Sequence, residues 1–247
     1  MSDTFRADLL RGKRAVVVGA TSGIGAAIAN TFAGVGADVI ATGATAAEVA
    51  VFGARAGRGR ITAETLDVRD NAAVVALFAR LKSLDVLVNC AGIIRRGEEH
   101  DPAVFDDVVD VNLSGTMRCC AAARPALAAA RGAIVNTASV LSFFGGGLVP
   151  GYAASKGGVA QLTKSLAIAY AGDAIRVNAV APGWVRTPLT AALQADPARD
   201  SAIVTRTPLG RWAEPADVAG AVLFLCTPAA GFITGTVLPV DGGYMIA

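Results

Sequence analysis

Short, continuously apolar runs rich in Val and Ile alternate along the chain with alanine-rich segments of helical character. This rhythm limits the available folds more than any other feature. The runs lie at residues 14–19 (RAVVVG), 37–42 (ADVIAT), 61–66 (ITAETL), 84–89 (LDVLVN), 133–138 (AIVNTA), 175–181 (IRVNAVA) and 236–240 (TVLPV). Strands apolar at nearly every position are strands buried on both faces, as in parallel sheets covered by helices. Helical candidates lie at 23–35, 45–55, 70–82, 113–130, 152–171 and 215–225. Strict β–α alternation implies right-handed crossovers. The expected fold is therefore α/β, a doubly wound, Rossmann-like parallel sheet of about seven strands with helices on both faces, forming one domain over residues 1–247. In such sheets ligands sit at the carboxyl ends of the strands, near the topological switch point.

Composition narrows the partners. Hydrophobic residues make up 53% and charged residues 17%, a balance that excludes disorder and supplies a large core. A net charge of +2 without a basic block argues against nucleic acid. No apolar run is long enough to span a bilayer, so no membrane is expected. The N-terminus is charged throughout and lacks an apolar signal region, which places the protein in the cytoplasm as an expectation. Cys90, Cys119, Cys120 and Cys226 form no CxxC pair, and His100 cannot complete a zinc site with them, so no metal is expected. Their reading is as small hydrophobes in a reducing compartment.

The first apolar run leads directly into Gly19-Ala20-Thr21-Ser22-Gly23-Ile24-Gly25 and then a helix. Glycines there let the backbone take positive φ and let a pyrophosphate approach a helix N-terminus. The spacing G-x-x-x-G-x-G differs from G-x-G-x-x-G, and no Lys follows as in a P-loop. After the third run comes Asp67-Val68, whose carboxylate either accepts from an adenine amino group or caps the following helix. At the end of the second run neither an acidic residue nor a nearby Arg stands ready for the adenosine ribose. Only Thr42, Thr45 and backbone lie there, which favours NAD over NADP, although the threonines or Arg55 could serve a phosphate.

Tyr152 and Lys156 lie four residues apart at the start of a helix and share one face. A cation and a helix N-terminus both favour phenolate, making the pair a plausible acid–base group near neutral pH. Ser139 follows the fifth run, Asn112 precedes a long helix, and Asn89-Cys90-Ala91-Gly92 closes the fourth run. All these segments reach one crevice. The long stretch from Pro182 to Pro215 lacks strand character and reads as a loop-rich lid, centred on about 187–211.

Together these residues resemble the short-chain dehydrogenases/reductases over essentially the whole chain. The matching marks are the Gly19/Gly23/Gly25 turn, Asn89-Cys90-Ala91-Gly92 (usually Asn-Asn-Ala-Gly), Asn112, Ser139, Tyr152 with Lys156, Pro182-Gly183 with Thr187, and Asp241-Gly242-Gly243. The resemblance implies an NAD(P)-dependent oxidoreductase. Tyr152 would be the proton donor to a carbonyl or the base for an alcohol. Lys156 would lower the Tyr152 pKa and bind the nicotinamide ribose. Ser139 would bond the substrate oxygen, and Asn112 would anchor a relay water. Cofactor contacts are expected from Gly19, Ser22, Gly23, Ile24 and Gly25, from Asp67 and Val68, and from Asn89, Ala91 and Gly92. Tyr152, Lys156, Pro182, Gly183, Val185 and Thr187 complete that expected set. The small apolar residues of helices 113–130 and 152–171, with the resemblance, imply a homotetramer or at least a dimer.

Segments 91–96 and 139–152 further resemble sugar-acid dehydrogenases of the deoxygluconate type. Arg95 and Arg96 follow a strand that ends at the cofactor, and a guanidinium there could grip a carboxylate. The alternative is that they pair with Glu98 and Glu99 or extend into solvent. Ser139, Leu141 and Tyr152 would complete the substrate contacts. The expected substrate is a hydroxy or keto sugar acid, with a 3-oxoacyl-type ketoreductase as the alternative and a steroid or polyol also open. A serine hydrolase is excluded, because Ser139 is not in a G-x-S-x-G elbow and the only His precedes it. A non-catalytic dinucleotide sensor on the same fold would not need the full Ser, Tyr, Lys and Asn set.

Overall fold

The computed structural model describes residues 4–53 and 61–247. Seven parallel strands form one sheet: β1 (Arg14–Val18), β2 (Asp38–Gly43), β3 (Ile61–Thr65), β4 (Val86–Asn89), β5 (Ala133–Thr137), β6 (Arg176–Pro182) and β7 (Val237–Val240). Their spatial order is β3-β2-β1-β4-β5-β6-β7. The order reverses direction between β1 and β4, which opens the crevice where an α/β sheet binds its ligand. The register is regular, with Val17 beside Ala41 on one side and Val88 on the other.

Alternate strand residues serve two cores. Val17, Val86 and Val88 face one layer with Ile28, Phe32, Val222 and Leu223, from helices α1 (Gly23–Gly34) and α9 (Pro215–Leu225). Val16, Val18 and Leu87 face the other layer. It is built by α3 (Asn71–Ala79), α5 (Gly115–Ala130) and α6 (Pro150–Tyr170), with Phe78, Leu127 and Leu166 buried. Continuous apolarity in the sequence thus reflects burial on both faces. Helix α2 (Ala46–Gly53) connects β2 toward β3, and Arg55 lies outside the described residues.

Three local expectations are corrected. Helix α4 (Pro102–Val109), capped by the Asp101 carboxylate on Ala103 N–H, was not expected from the alternation. A π-helical turn, Asp110–Ser114, joins it to α5, so the helix expected from 113 begins at Gly115. The segment after β6 is not loop alone. It holds a 3₁₀ turn (Pro188–Thr190), α7 (Ala191–Gln194) and α8 (Pro197–Arg206), and a single parallel bridge joins Val185 to Ala213. Leu193, Ile203 and Trp212 form a small core of its own, which gives these short helices a stable seat.

Candidate active site

The turn between β1 and α1 is built by steric necessity. Gly19 has φ of +76°, and a Cβ there would stand 2.5 Å from the Ala91 nitrogen. A Cβ on Gly25 would collide with the Gly19 carbonyl. The β1 turn and the loop leaving β4 therefore touch backbone to backbone. Ser22 sits at the α1 N-cap in extended conformation, yet its hydroxyl accepts no N–H from the first turn. The N–H groups of Gly23, Ile24 and Gly25 thus lack a side-chain cap. Open N–H donors at a helix N-terminus suit a pyrophosphate, so the residues present fit a dinucleotide.

Two cavities follow the carboxyl ends of the strands. One, of about 590 Å³, runs from Gly19 and Ser22 past Gly43 and Ala44 to Asp67, Val68, Arg69, Ala91 and Gly92. The next, of about 410 Å³, is shared by Ser22 to Gly25, Gly92, Tyr152, Lys156 and Thr187. Asp67 does not cap α3, since Asp70 does. Instead its carboxylate takes a bidentate contact from Arg69, at 3.0 and 2.7 Å, which holds its pKa below the usual carboxylate value. Arg69 also donates to Asp107 at 2.9 Å. Val68 is buried and accepts at its carbonyl from Arg118.

Asn89 departs from its expected place on the cofactor cleft. Its amide donates to Asn136 at 2.9 Å, and Asn136 donates to Thr163 at 3.0 Å, a buried chain that ties β4 and β5 to α6. The neighbouring Cys90 lines both cavities, with its sulfur 3.1 Å from the Thr137 hydroxyl and its pKa raised by burial. Pro182 closes β6, and Gly183 N–H donates to the Val240 carbonyl. Val185 accepts at its carbonyl from the Thr190 hydroxyl, which fixes the entry to Thr187.

The residues expected to form the acid–base group come from three elements. The end of β5 carries Ser139, whose hydroxyl accepts from Leu141 N–H at 3.1 Å. Pro150 starts α6 two residues before the expected position, so Tyr152 lies in its first turn. Burial raises the Tyr152 pKa, and the neighbouring Ser139 side chain offsets only part of that rise. Lys156 is 4% exposed, and burial pushes its pKa down to about 8. Its ammonium donates to the Thr137 carbonyl at 2.6 Å and stands 5.6 Å from the centre of the Tyr152 ring. The expected lowering of the Tyr152 pKa by Lys156 is therefore not realised within the chain itself. Asn112, fully buried in the π-helical turn, accepts from Ile93 N–H at 2.8 Å and donates to the Ile93 carbonyl and the Ser155 hydroxyl. The extra residue in that turn swings Asn112 between the β4 loop and α6.

The two arginines part company. Arg96 lines a third cavity, of about 390 Å³, with Ser139, Leu141, Tyr152 and Gly183. Arg95 lines the first cavity instead, so only one of the pair faces Tyr152. Neither of the glutamates expected as possible partners pairs with these side chains. Glu99 is 1% exposed, and its two oxygens accept from backbone, Arg95 N–H at 2.8 Å and Tyr152 N–H at 2.7 Å. Its role as a buried clamp on two backbone N–H groups was not expected, because it sits in a charged run, where a solvated or paired side chain is the ordinary reading. Trp184 also lines the third cavity and was not expected there. Among the described residues no three His, Cys, Asp or Glu side chains are grouped to hold a metal, and no helix is long and apolar enough to cross a membrane.

Known proteins are similar to this chain over nearly its whole length. A family model described as Enoyl-(Acyl carrier protein) reductase matches residues 19–245. A 2-dehydro-3-deoxy-D-gluconate 5-dehydrogenase of Bacillus subtilis is 41% identical over 243 residues, covering 96% of both chains. A cis-4-hydroxycyclohexanecarboxylate dehydrogenase of Sinomonas cyclohexanicum is 45% identical over 242 residues, covering 93% of this chain and 95% of its own. A crystal structure from Agrobacterium tumefaciens, a provisional 2-deoxy-D-gluconate 3-dehydrogenase with bound NADP, superposes with a TM-score of 0.88 at 41% identity, covering 98% of this chain and all of the other. The glycine turn, the Ser139–Tyr152–Lys156 group and this full-length likeness place the chain in the short-chain dehydrogenase/reductase family, the NAD(P)-dependent oxidoreductases that act on alcohol groups.

Proposed function

We propose that this protein interconverts a secondary alcohol and a ketone on a sugar acid or similar carboxylate, with Tyr152 exchanging the proton and Arg96 holding the carboxylate. The observation that carries the reading is the third cavity, which sets the Arg96 guanidinium in one space with Ser139 and Tyr152. Among the described residues Arg96 makes no hydrogen bond or ion pair, and its pKa is lowered, first by desolvation. Arg96 is exposed and borders this cavity, and a guanidinium with no carboxylate bonded to it among the described residues suits an anionic ligand. The substrates named for the two relatives agree in chemistry. In each the carbinol stands four carbon–carbon bonds from the carboxylate carbon.

Within the site, Ser139 bonds the substrate oxygen and Tyr152 gives its proton to a carbonyl or accepts one from an alcohol. Lys156 and Asn112 hold the far side, where Lys156 faces the ribose of the cofactor. Gly19, Ser22, Gly23, Ile24 and Gly25 would hold the pyrophosphate, Asp67 and Val68 the adenine, and Ala91, Gly92, Val185 and Thr187 the nicotinamide. The bound nicotinamide supplies the hydride acceptor or donor. We favour NAD(H). The Glu48 carboxylate accepts from Ala44 N–H at 2.9 Å at the end of β2, and the nearby Arg69 is already neutralised by Asp67 and Asp107. Among the described residues a 2′-phosphate there would meet a carboxylate rather than a free cation.

The segment 187–211 acts as the lid in this reading, since Leu189, Leu193 and Arg199 all border the third cavity. A homotetramer is supported by apolar side chains left open on the surface, Ile168 of α6 at 81% exposure and Phe232 fully exposed. Light scattering at micromolar concentration tests it, and a monomeric mass refutes it. The cytoplasm is supported by the buried thiols of Cys119 and Cys120. The substrate reading is tested by Arg96→Ala. KM for a sugar acid should rise roughly ten- to hundredfold, while a matching neutral polyol changes little. Neutral ketones turned over better than acids would refute it.

A further inference from the structure

We infer that Arg199, on helix α8, is the second jaw of a carboxylate clamp whose first jaw is Arg96, and that Asp196 competes with the substrate for it. This rests on the sugar-acid reading above. Arg96, Arg199 and Asp196 all border the cavity that holds Tyr152. Two arginines from separate elements, one after β4 and one on α8, border the same cavity. Desolvation lowers the Arg96 pKa first, and the like charge of Arg199 lowers it further. A like-charge pair at a cavity is relieved by an anion between them.

Helix α8 is seated firmly enough to aim Arg199. Ile203, one turn on and on the same face, is buried against Trp212. The adjacent Asp200 accepts from the Trp212 indole N–H at 2.7 Å. Arg199 meanwhile rests on Asp196, with Nε 3.3 Å from a carboxylate oxygen. Asp196 has a second task as the α8 N-cap, accepting from Ala198 and Arg199 N–H through its other oxygen. One oxygen caps the helix and the other occupies the guanidinium. A substrate carboxylate entering the cavity would take over that second contact, drawing the Arg199 side chain toward Arg96 while α8 stays seated.

The opposite signs expected for Arg199 and Asp196 make the clamp testable. The probes are cis-4-hydroxycyclohexanecarboxylate, 2-dehydro-3-deoxy-D-gluconate, and the carboxamide of the former as a neutral counterpart. Arg199→Gln should raise KM for the acids on the order of tenfold, with kcat and the amide KM held within about twofold, and Arg199→Lys should recover part of the loss. Asp196→Asn keeps the cap, because Asn serves as well as Asp at that position, and should lower KM for the acids about two- to fivefold. Unchanged acid KM values in both Arg199→Gln and Asp196→Asn would overturn the clamp, as would equal shifts for acid and amide. If the wild type prefers acids and only Arg96→Ala raises their KM, the clamp falls while the sugar-acid reading stands. A wild type that prefers the amide, or turns over none of the three, refutes both.

Discussion

Glu99 offers the sharpest test of how the active site is held. Its carboxylate is almost wholly buried and joins two N–H groups from different elements, Arg95 at 2.8 Å and Tyr152 at 2.7 Å. Glu99→Gln preserves the shape but offers one oxygen and one NH₂. One buried N–H then faces another donor, and the remaining bond loses its charge. A charge-assisted hydrogen bond contributes about 1.5–3 kcal/mol, so the loss should be about 2–4 kcal/mol. For a chain of this length, roughly 2–4 °C per kcal/mol gives a fall in Tm of roughly 5–15 °C. The damaged contact lies on the backbone of Tyr152, so geometry suffers with stability. A displacement near 1 Å at a reacting group costs on the order of a hundredfold, and kcat should drop about ten- to hundredfold with cofactor Kd unchanged. Removing the negative charge also favours phenolate, because Glu99 raises the Tyr152 pKa. The limb of the pH–rate profile that reports Tyr152 should therefore move to lower pH. Thermal unfolding and steady-state kinetics across pH suffice as assays. A Tm within about 2 °C of wild type with kcat within about twofold would refute the reasoning.

Further outcomes follow from the same geometry. Burial lowers Lys156 from 10.5 to about 8. Below that pH the cofactor-free fold carries a buried ammonium, and its stability should rise between about pH 8 and 10.5 as the unfolded chain retains the proton that the fold has released. Lys156→Met should abolish turnover yet leave the cofactor-free protein at least as stable at pH 7, and a Tm lowered by more than about 5 °C would contradict the cause assigned to the shift. Parallel titrations should show NADH bound more tightly than NADPH, and Glu48→Gln should narrow the gap, since it retains the contact to Ala44 N–H but not the charge. NADPH binding about tenfold tighter in the wild type would mean that the end of β2 has been misread.

Much of this was legible in the sequence, for reasons that can be named. Strands such as VLVN and AIVNT are apolar at successive positions because both faces are covered, and that pattern survives without any knowledge of pairing. The glycine turn was legible because positive φ at Gly19 and backbone contact at Gly25 admit no side chain. Helix α4 was missed although Asp101-Pro102 is a good start signal, because eight residues give too few turns for periodicity to declare itself. The π-helical turn leaves no mark in composition, as it is a matter of hydrogen-bond register. Arg95 and Arg96 were indistinguishable as neighbours, yet outside a helix adjacent side chains tend to opposite sides, and the structure sends them to different cavities. The burial of Glu99 depends on two N–H groups more than 50 positions apart in one case, Tyr152, and no local pattern announces such a partner.

The central claim is that Tyr152 moves the proton in a nicotinamide-dependent reaction, and the most direct measurement is the rate of absorbance change at 340 nm for Tyr152→Phe with a sugar acid and saturating cofactor, paired with a cofactor titration. Losing a positioned acid–base group costs about 10²–10⁴-fold, so turnover should fall by at least a hundredfold while cofactor Kd stays within about threefold, because the ring and its packing remain. Retention of more than about a tenth of the wild-type kcat would contradict the account.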